Sequence, residues 1–146
     1  MWRNDSTFHL LRRVMQRHNA LWRERLPDLT PVQYSVLLSI DRLPGADQRS
    51  IGEASAVEPT TTANLIGRLQ ASGLVTREPD PEDRRRQRLS LTTTGARTLR
   101  DATPLVRSVR DELLAPLDPE VTAELRAILL TLEGGHPRGP GPKEMP

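Results

Sequence analysis

Proline cuts this chain into short pieces. It holds 13 prolines in 146 residues, and most stand where one regular element must stop or the next can start. The pyrrolidine ring holds φ near roughly −65° and removes the N–H, so proline suits the first turn of a helix and ends or kinks one elsewhere. From Ser6 to about Arg25 the residues Leu10, Leu11, Val14, Leu21 and Trp22 recur at helical spacing, and Pro27 ends that helix. Thr30-Pro31-Val32-Gln33 reads as a capping box with proline at the first helical position. The helix it opens runs through Val36, Leu37 and Ile40 and stops near Pro44-Gly45. Asp47 caps a short helix, Gln48 to about Ser55. Pro59 opens another, which continues through Leu69 to a C-terminal cap at Gly73.

The next stretch changes period. Leu74-Val75-Thr76-Arg77-Glu78 predicts a short strand stopped by Pro79, and Asp80-Pro81-Glu82-Asp83 has turn chemistry. Arg88-Leu89-Ser90-Leu91 alternates polar and apolar, as a returning strand does. Thr92 then caps a helix in which Leu99, Ala102, Val106, Val109 and Leu113 step by threes and fours, with Pro104 predicting a kink. Asp118-Pro119-Glu120 caps a last helix carrying Val121, Leu125, Ile128 and Leu132. A short helix pair followed by a basic-tipped hairpin outlines a winged helix. The fold class expected is therefore mainly α with a small β-hairpin wing.

Composition removes several function classes. The chain has no cysteine, which excludes disulfides, thiolate metal sites and thiol redox sensing. His9, His18 and His136 do not cluster, because nine helical residues put His9 and His18 on opposite faces; no metal or other cofactor is expected. No Gly-rich phosphate loop, nucleophile elbow or paired carboxylate stands in a recognisable setting, so an enzyme is not expected. No apolar run spans a bilayer, and Met1-Trp2-Arg3-Asn4-Asp5 lacks the apolar core of a signal peptide, so the expected location is the cytoplasm.

The net charge of +2 says less than its distribution. All of the 21 basic residues but Lys143 are arginine, and Arg84, Arg85, Arg86 and Arg88 fall within five positions free of acids. The abundance of arginine is explained by coding bias; the cluster is not, because it falls where a wing tip must lie. Guanidinium groups projecting from such a tip suit phosphates and the high negative potential of a minor groove. Asp83, two positions before Arg85, is placed to orient that side chain by a charge-assisted hydrogen bond. On the helix from Pro59, Leu65, Ile66 and Leu69 form the stripe expected to be buried. Thr61, Asn64 and Arg68 share another face, with Thr60 at the exposed N-terminal end. Hydroxyl, amide and guanidinium groups there suit base edges in a major groove, although an ordinary solvated face explains them equally well when this helix is taken alone.

Residues 29–95 resemble the MarR family of winged helix-turn-helix regulators, and the flanking helices fit it too. The most specific pieces are Gly73-Leu74-Val75, Asp80-Pro81-Glu82-Asp83-Arg84-Arg85 and Leu91-Thr92-Thr93-Thr94-Gly95. They are similar to the end of the family's recognition helix, its Asp-x-Arg wing and the Leu-Thr-x-x-Gly start of its long helix. The resemblance implies a homodimer joined through terminal helices, about 6–26 and 93–133, around a DNA-binding lobe of about 30–92. Residues 1–133 would form that domain and 134–146 a disordered Pro/Gly-rich tail. Each subunit would set a recognition helix in the major groove of a palindromic site and Arg85 in the adjacent minor groove. Three positions depart from the pattern: Gly52 stands for the usual alanine, Ala56 for the turn glycine, and Glu58, a poorer cap, for the usual serine. These are expected to loosen the motif slightly.

The family commonly carries aromatic effectors between its dimer helices and DNA-binding lobe. Here His18 and Trp22 lie one helical turn apart, Tyr34 starts the next helix, and Arg12 or Arg13 could meet a carboxylate. The runs Arg12-x-x-x-Gln16-Arg17-His18 and Gly45-Ala46-Asp47-Gln48 look similar to aromatic-acid-responsive members, although Trp22 and Tyr34 serve as well to fill a core. The expected function is a DNA-binding transcriptional regulator, a repressor released by a small aromatic effector. The alternatives are ligand-independent or sequence-independent DNA binding, or a helical module for a protein partner.

Overall fold

The computed structural model describes residues 5–134. These form α1 (Thr7–Arg25), α2 (Pro31–Arg42), α3 (Gln48–Ser55), α4 (Pro59–Ala71), β1 (Val75–Pro79), β2 (Gln87–Leu91), α5 (Thr93–Leu114) and α6 (Pro119–Leu132). The architecture is mainly helical with one antiparallel hairpin, as the punctuation of the sequence predicts. The strands pair from Val75 opposite Leu91 to Pro79 opposite Gln87. Pro79 is the last residue of β1, where the missing ladder N–H is tolerated, so the strand ends with it.

The helix starts follow their caps closely. Thr30 Oγ1 accepts the Gln33 N–H at 3.1 Å, and Gln33 Oε1 accepts the Thr30 N–H at 2.9 Å, completing the expected capping box. Asp47 Oδ1 accepts the Ser50 N–H at 3.0 Å and the Ser50 hydroxyl at 2.7 Å. Thr92 Oγ1 accepts the Gly95 N–H at 2.9 Å, which starts α5. Asp118 sits at the N-cap of α6 without a side-chain cap bond, so its expected capping role is positional only. Pro104 lies inside α5, which continues past it.

The chain divides into two compact units, Met1–Arg110 and Asp111–Pro146, with the division inside α5 rather than at its start. The core of the first unit is built from α1 to α5 and the hairpin, with Val36, Leu37, Ile51 and Ile66 fully excluded from solvent. In the second, α6 buries none of its residues, and Val121, Ile128, Leu129, Leu130 and Leu132 are exposed. The tail expected to be disordered lies, apart from Gly134, outside the described residues.

The buried stripe of α4 is Thr62, Ile66 and Leu69, with Leu65 only half-buried. Thr62 is the buried polar residue among the described ones, and its hydroxyl donates to the carbonyls of Val57 and Glu58 at 3.2 and 2.8 Å. Bonding back to its own helix start lets a hydroxyl go where an apolar side chain was expected. It also explains Gly52. A Cβ at Gly52 would stand 2.7 Å from Thr62 Oγ1 and 3.2 Å from its Cγ2, so glycine completes the α3–α4 contact instead of loosening it. Ala56 ends α3 in the left-handed region, at φ 55° and ψ 41°. An L side chain with a Cβ is strained there, whereas glycine is not. Ala56→Gly should therefore stabilise the fold by about 1 kcal/mol, read as a higher urea midpoint with an unchanged slope.

Candidate nucleic-acid interface

The outer face of α4 carries Thr60, Thr61, Asn64 and Arg68, all exposed. What aims them is the packing of Thr62, Ile66 and Leu69 on the opposite side of the same helix. Glu58 caps this helix after all: its Oε1 accepts the Thr61 N–H at 3.2 Å and the Thr61 hydroxyl at 2.8 Å. The longer side chain folds back over the first turn, so it satisfies one free N–H and also holds Thr61 in one rotamer.

The hairpin leaves α4 through Gly73, at φ +75°, and returns at Thr92. There the Thr92 N–H donates to the Leu74 carbonyl at 3.0 Å and the Thr92 hydroxyl to the Gly73 carbonyl at 2.6 Å. A Cβ at Gly95 would collide with the Leu74 carbonyl, which is why only glycine fits that place. Beyond this junction, the Leu89 N–H donates to the Ala46 carbonyl at 3.0 Å, fastening β2 to the segment before α3. Arg88 passes beside Gly45, and its Nη2 donates to Asp80 Oδ1 at 3.3 Å while its Nε lies 3.2 Å from Asp80 Oδ2.

At the tip the arginines part ways. Arg84, Arg85 and Arg86 are all exposed. Arg86 Nε donates to Asp47 Oδ2 at 3.0 Å, and its Nη2 lies 2.8 Å from the same oxygen. Arg84 and Arg85 make no ion pair among the described residues. Asp83 does not orient the Arg85 guanidinium as expected; its Oδ1 accepts the Arg85 backbone N–H at 3.0 Å, and its carbonyl accepts the Arg86 N–H at 2.9 Å. An aspartate two residues back bonds the main chain more readily than a long, solvated side chain. The turn is therefore set by Asp83, while the Arg85 head stays free.

The aromatic residues form a second feature of the same compact unit. Trp22 is buried, and its Nε1 donates to the Leu29 carbonyl at 2.6 Å. Its ring lies 5.6 Å from His18 and 5.9 Å from Tyr34, the latter edge-on. A hollow of about 670 Å³ opens beside this group, with His18, Trp22, Arg23, Leu26 and Met15 in its wall. Tyr34, Arg12 and Arg13 are not in that wall. The Tyr34 hydroxyl lies 3.2 Å from Thr103 Oγ1, Arg12 lies 3.0 Å from His9 Nδ1, and Arg13 is exposed.

A sequence model of the MarR family matches residues 28–86. The transcriptional regulator HosA of Escherichia coli O111:H- is 40% identical over 116 residues, covering 80% of this chain and 86% of that protein. This chain belongs to the MarR family. The transcriptional repressor NicR of Pseudomonas putida is 33% identical over 116 residues, 78% of this chain and 73% of that one. Among solved structures, Bordetella bronchiseptica BpsR superposes with a TM-score of 0.85 at 25% identity, covering 93% of this chain and 99% of that one. That structure concerns regulation of DNA binding by 6-hydroxynicotinic acid. The chain is accordingly a MarR-family transcriptional regulator with a winged helix. Among its described residues no helix is long and apolar enough to cross a membrane, and no group of three metal-ligating side chains occurs.

Three elements of this MarR-family interface escaped the sequence: Asp47 as partner of Arg86, the Thr92 bond to Gly73, and the burial of Thr62. Asp47 was legible as a cap, but nothing local links it to a residue 39 positions away. The backbone N–H of Ser50, then its hydroxyl, then Arg86 hold the Asp47 carboxyl at about 2, below its ordinary 3.8. A carboxyl depressed by folding stabilises the fold fully above its unfolded value, and that contribution disappears as pH falls toward the folded value. Wild type should thus lose stability between about pH 4 and pH 2, and Asp47→Ser should lose less over the same window. Urea midpoints measured across this range check the difference; equal losses would remove Asp47 from the acid response.

Proposed function

We propose that this MarR-family regulator is a homodimeric repressor that holds a palindromic operator and releases it on binding a small aromatic acid. The observation that carries the reading is the pairing of two exposed polar surfaces in one compact unit. One is the α4 face with Thr60, Thr61, Asn64 and Arg68; the other is the wing tip with Arg84 and Arg85. The first has the donors and acceptors that read base edges, and the second has unpaired guanidinium groups that suit a minor groove. Arg86 adds positive charge at the tip but is engaged by Asp47. The repressor role is supported by NicR, and regulation of DNA binding by an aromatic carboxylate is supported by BpsR.

Homodimerisation is supported by large apolar side chains that stand exposed among the described residues. Phe8 on α1 is 80% exposed, with Leu10, Val14 and Met15 also in solvent, and α6 exposes five large apolar residues. Surfaces of this kind mark association sites. The protein works by binding, with no chemistry of its own, in the cytoplasm. For the effector, the hollow beside His18 and Trp22 is the natural seat, with Arg23 rather than Arg12 or Arg13 available to a carboxylate. Because Trp22 is buried and hydrogen-bonded, it serves as a fixed wall and not as a mobile lid.

Selection of bound sequences from a random duplex pool tests the main reading. A palindrome should emerge, occupied by two chains. Arg85→Ala should weaken binding to every duplex and, with one arginine lost from each of two wings, lower the slope of log affinity against log salt by about 2. Asn64→Ala and Arg68→Ala should instead relax preference at individual base pairs, by about 1–3 kcal/mol each. An unchanged affinity for Arg85→Ala removes the wing from the interface. For the effector, a panel of benzoates and hydroxypyridine carboxylates should contain a compound that raises the melting temperature and releases the selected operator. By linkage the operator must weaken that compound's binding by the same factor. If none binds, or if binding leaves DNA affinity untouched, the hollow is not an effector site.

A further inference from the structure

The fold separates three consecutive arginines into two kinds. Arg84 and Arg85 extend into solvent without an ion pair among the described residues, while Arg86 turns back to the carboxylate that starts α3. That carboxylate divides its oxygens: Oδ1 accepts from Ser50, and Oδ2 accepts from Arg86. We propose that Asp47 and Arg86 are positioning residues that lock the wing tip to the helix-turn-helix, so that Arg84 and Arg85 meet DNA in one orientation, with Arg86 itself off the DNA. This rests on the reading of the wing as a DNA contact.

Two observations carry the assignment from an ion pair to a positioning role. The Leu89–Ala46 hydrogen bond fastens β2 near the middle of the hairpin, and no other backbone bond in the described chain ties the tip to the helices. The Thr92 bonds close the base of the ribbon and Arg77 reaches Gln70, both inward of the tip, so a two-stranded tip left to itself can swing; Arg86 supplies an attachment near the free end. Asp83 then transmits it. By accepting from the main-chain N–H of both Arg85 and Arg86, it fixes the backbone of one relative to the other, so anchoring Arg86 also anchors the start of the Arg85 side chain. The cleft between wing and α3 also holds Arg49, Arg77 and Arg85; the first two are engaged by Glu53 and Gln70, and Arg85 makes no ion pair among the described residues, which leaves Asp47 to Arg86.

The sign of one substitution separates positioning from charge. Asp47→Ser keeps a good N-cap for α3 while releasing Arg86. Removing an acid beside DNA strengthens binding if only net charge matters. The positioning role requires the opposite: Asp47→Ser should weaken the full-length protein's affinity for its selected operator about fivefold or more, in a variant that is less stable but still fully folded at the temperature of the binding assay. Arg86→Ala should do the same and Arg86→Lys should recover part of the loss. In an Arg84→Ala/Arg85→Ala background, Asp47→Ser should cost almost nothing, because there is nothing left to position. Should Asp47→Ser fold poorly, Asp47→Asn keeps the oxygen that caps Ser50 and sets an NH2 donor against Arg86, so it releases the guanidinium and should show the same loss of affinity. Unchanged or tighter binding by Asp47→Ser, or a full loss persisting in the double-alanine background, overturns the positioning pair while leaving the DNA reading intact. If wild type selects no duplex, or Arg84→Ala/Arg85→Ala binds as wild type, both readings fall together.

Discussion

Everything outward of α4 depends on how closely a carbonyl approaches a helix. The Leu74 carbonyl sits against the first turn of α5, where Gly95 alone leaves room, and the Thr92 main chain and side chain bond the two carbonyls of Gly73 and Leu74. That contact closes the base of the hairpin, so the end of α4, both strands and the start of α5 share a single fixed point. A methyl group at residue 95 would push the strand away from the helix. The tip, some ten residues out along the ribbon, would move much further than the base. The geometry of the interface is therefore set by backbone contacts that carry no charge and touch no ligand.

Polar capping does a second job in this fold. Asp47, Glu58 and Thr92 each satisfy N–H groups at a helix start, and each also holds a further group: Asp47 the wing through Arg86, Glu58 the Thr61 hydroxyl of its own helix, and Thr92 the Gly73 carbonyl. A free helix end needs acceptors whatever else happens nearby. Using the same side chains for these further bonds gives orientation at little extra entropic cost, because they are already ordered by their caps.

How much was legible follows from which interactions are local. The capping box at Thr30, the cap at Asp47, the glycine at 73 and the apolar periodicity act over one or two turns, and they locate every helix and the hairpin to within a residue or two. The exposed face of α4 follows from the same periodicity, although the buried Thr62 shows that the period fixes direction better than chemistry. Asp47–Arg86, Leu89–Ala46 and Thr92–Gly73 span 39, 43 and 19 positions and have no periodic signature. The arginine run could be found as a cluster of charge. Which of its members is held could not, because that depends on where α3 lies in space. Among the aromatic residues, Trp22 as core and His18 at the hollow were equally compatible with one helical turn of separation, and burial distinguishes them.

Gly52 and Thr62 constrain the order in which this helix pair can vary. A Cβ at 52 needs the space that the Thr62 side chain fills, and it also comes within 3.3 Å of the Val57 carbonyl. A lineage that gains alanine at 52 first passes through an overpacked intermediate, whereas one that first shrinks residue 62 passes through a small void with two carbonyls short of a hydroxyl. Both single steps are uphill, and by amounts that depend on the partner, so the two positions drift as a unit. Divergent relatives can therefore share one fold here while presenting different residues at both sites, each pair being internally matched.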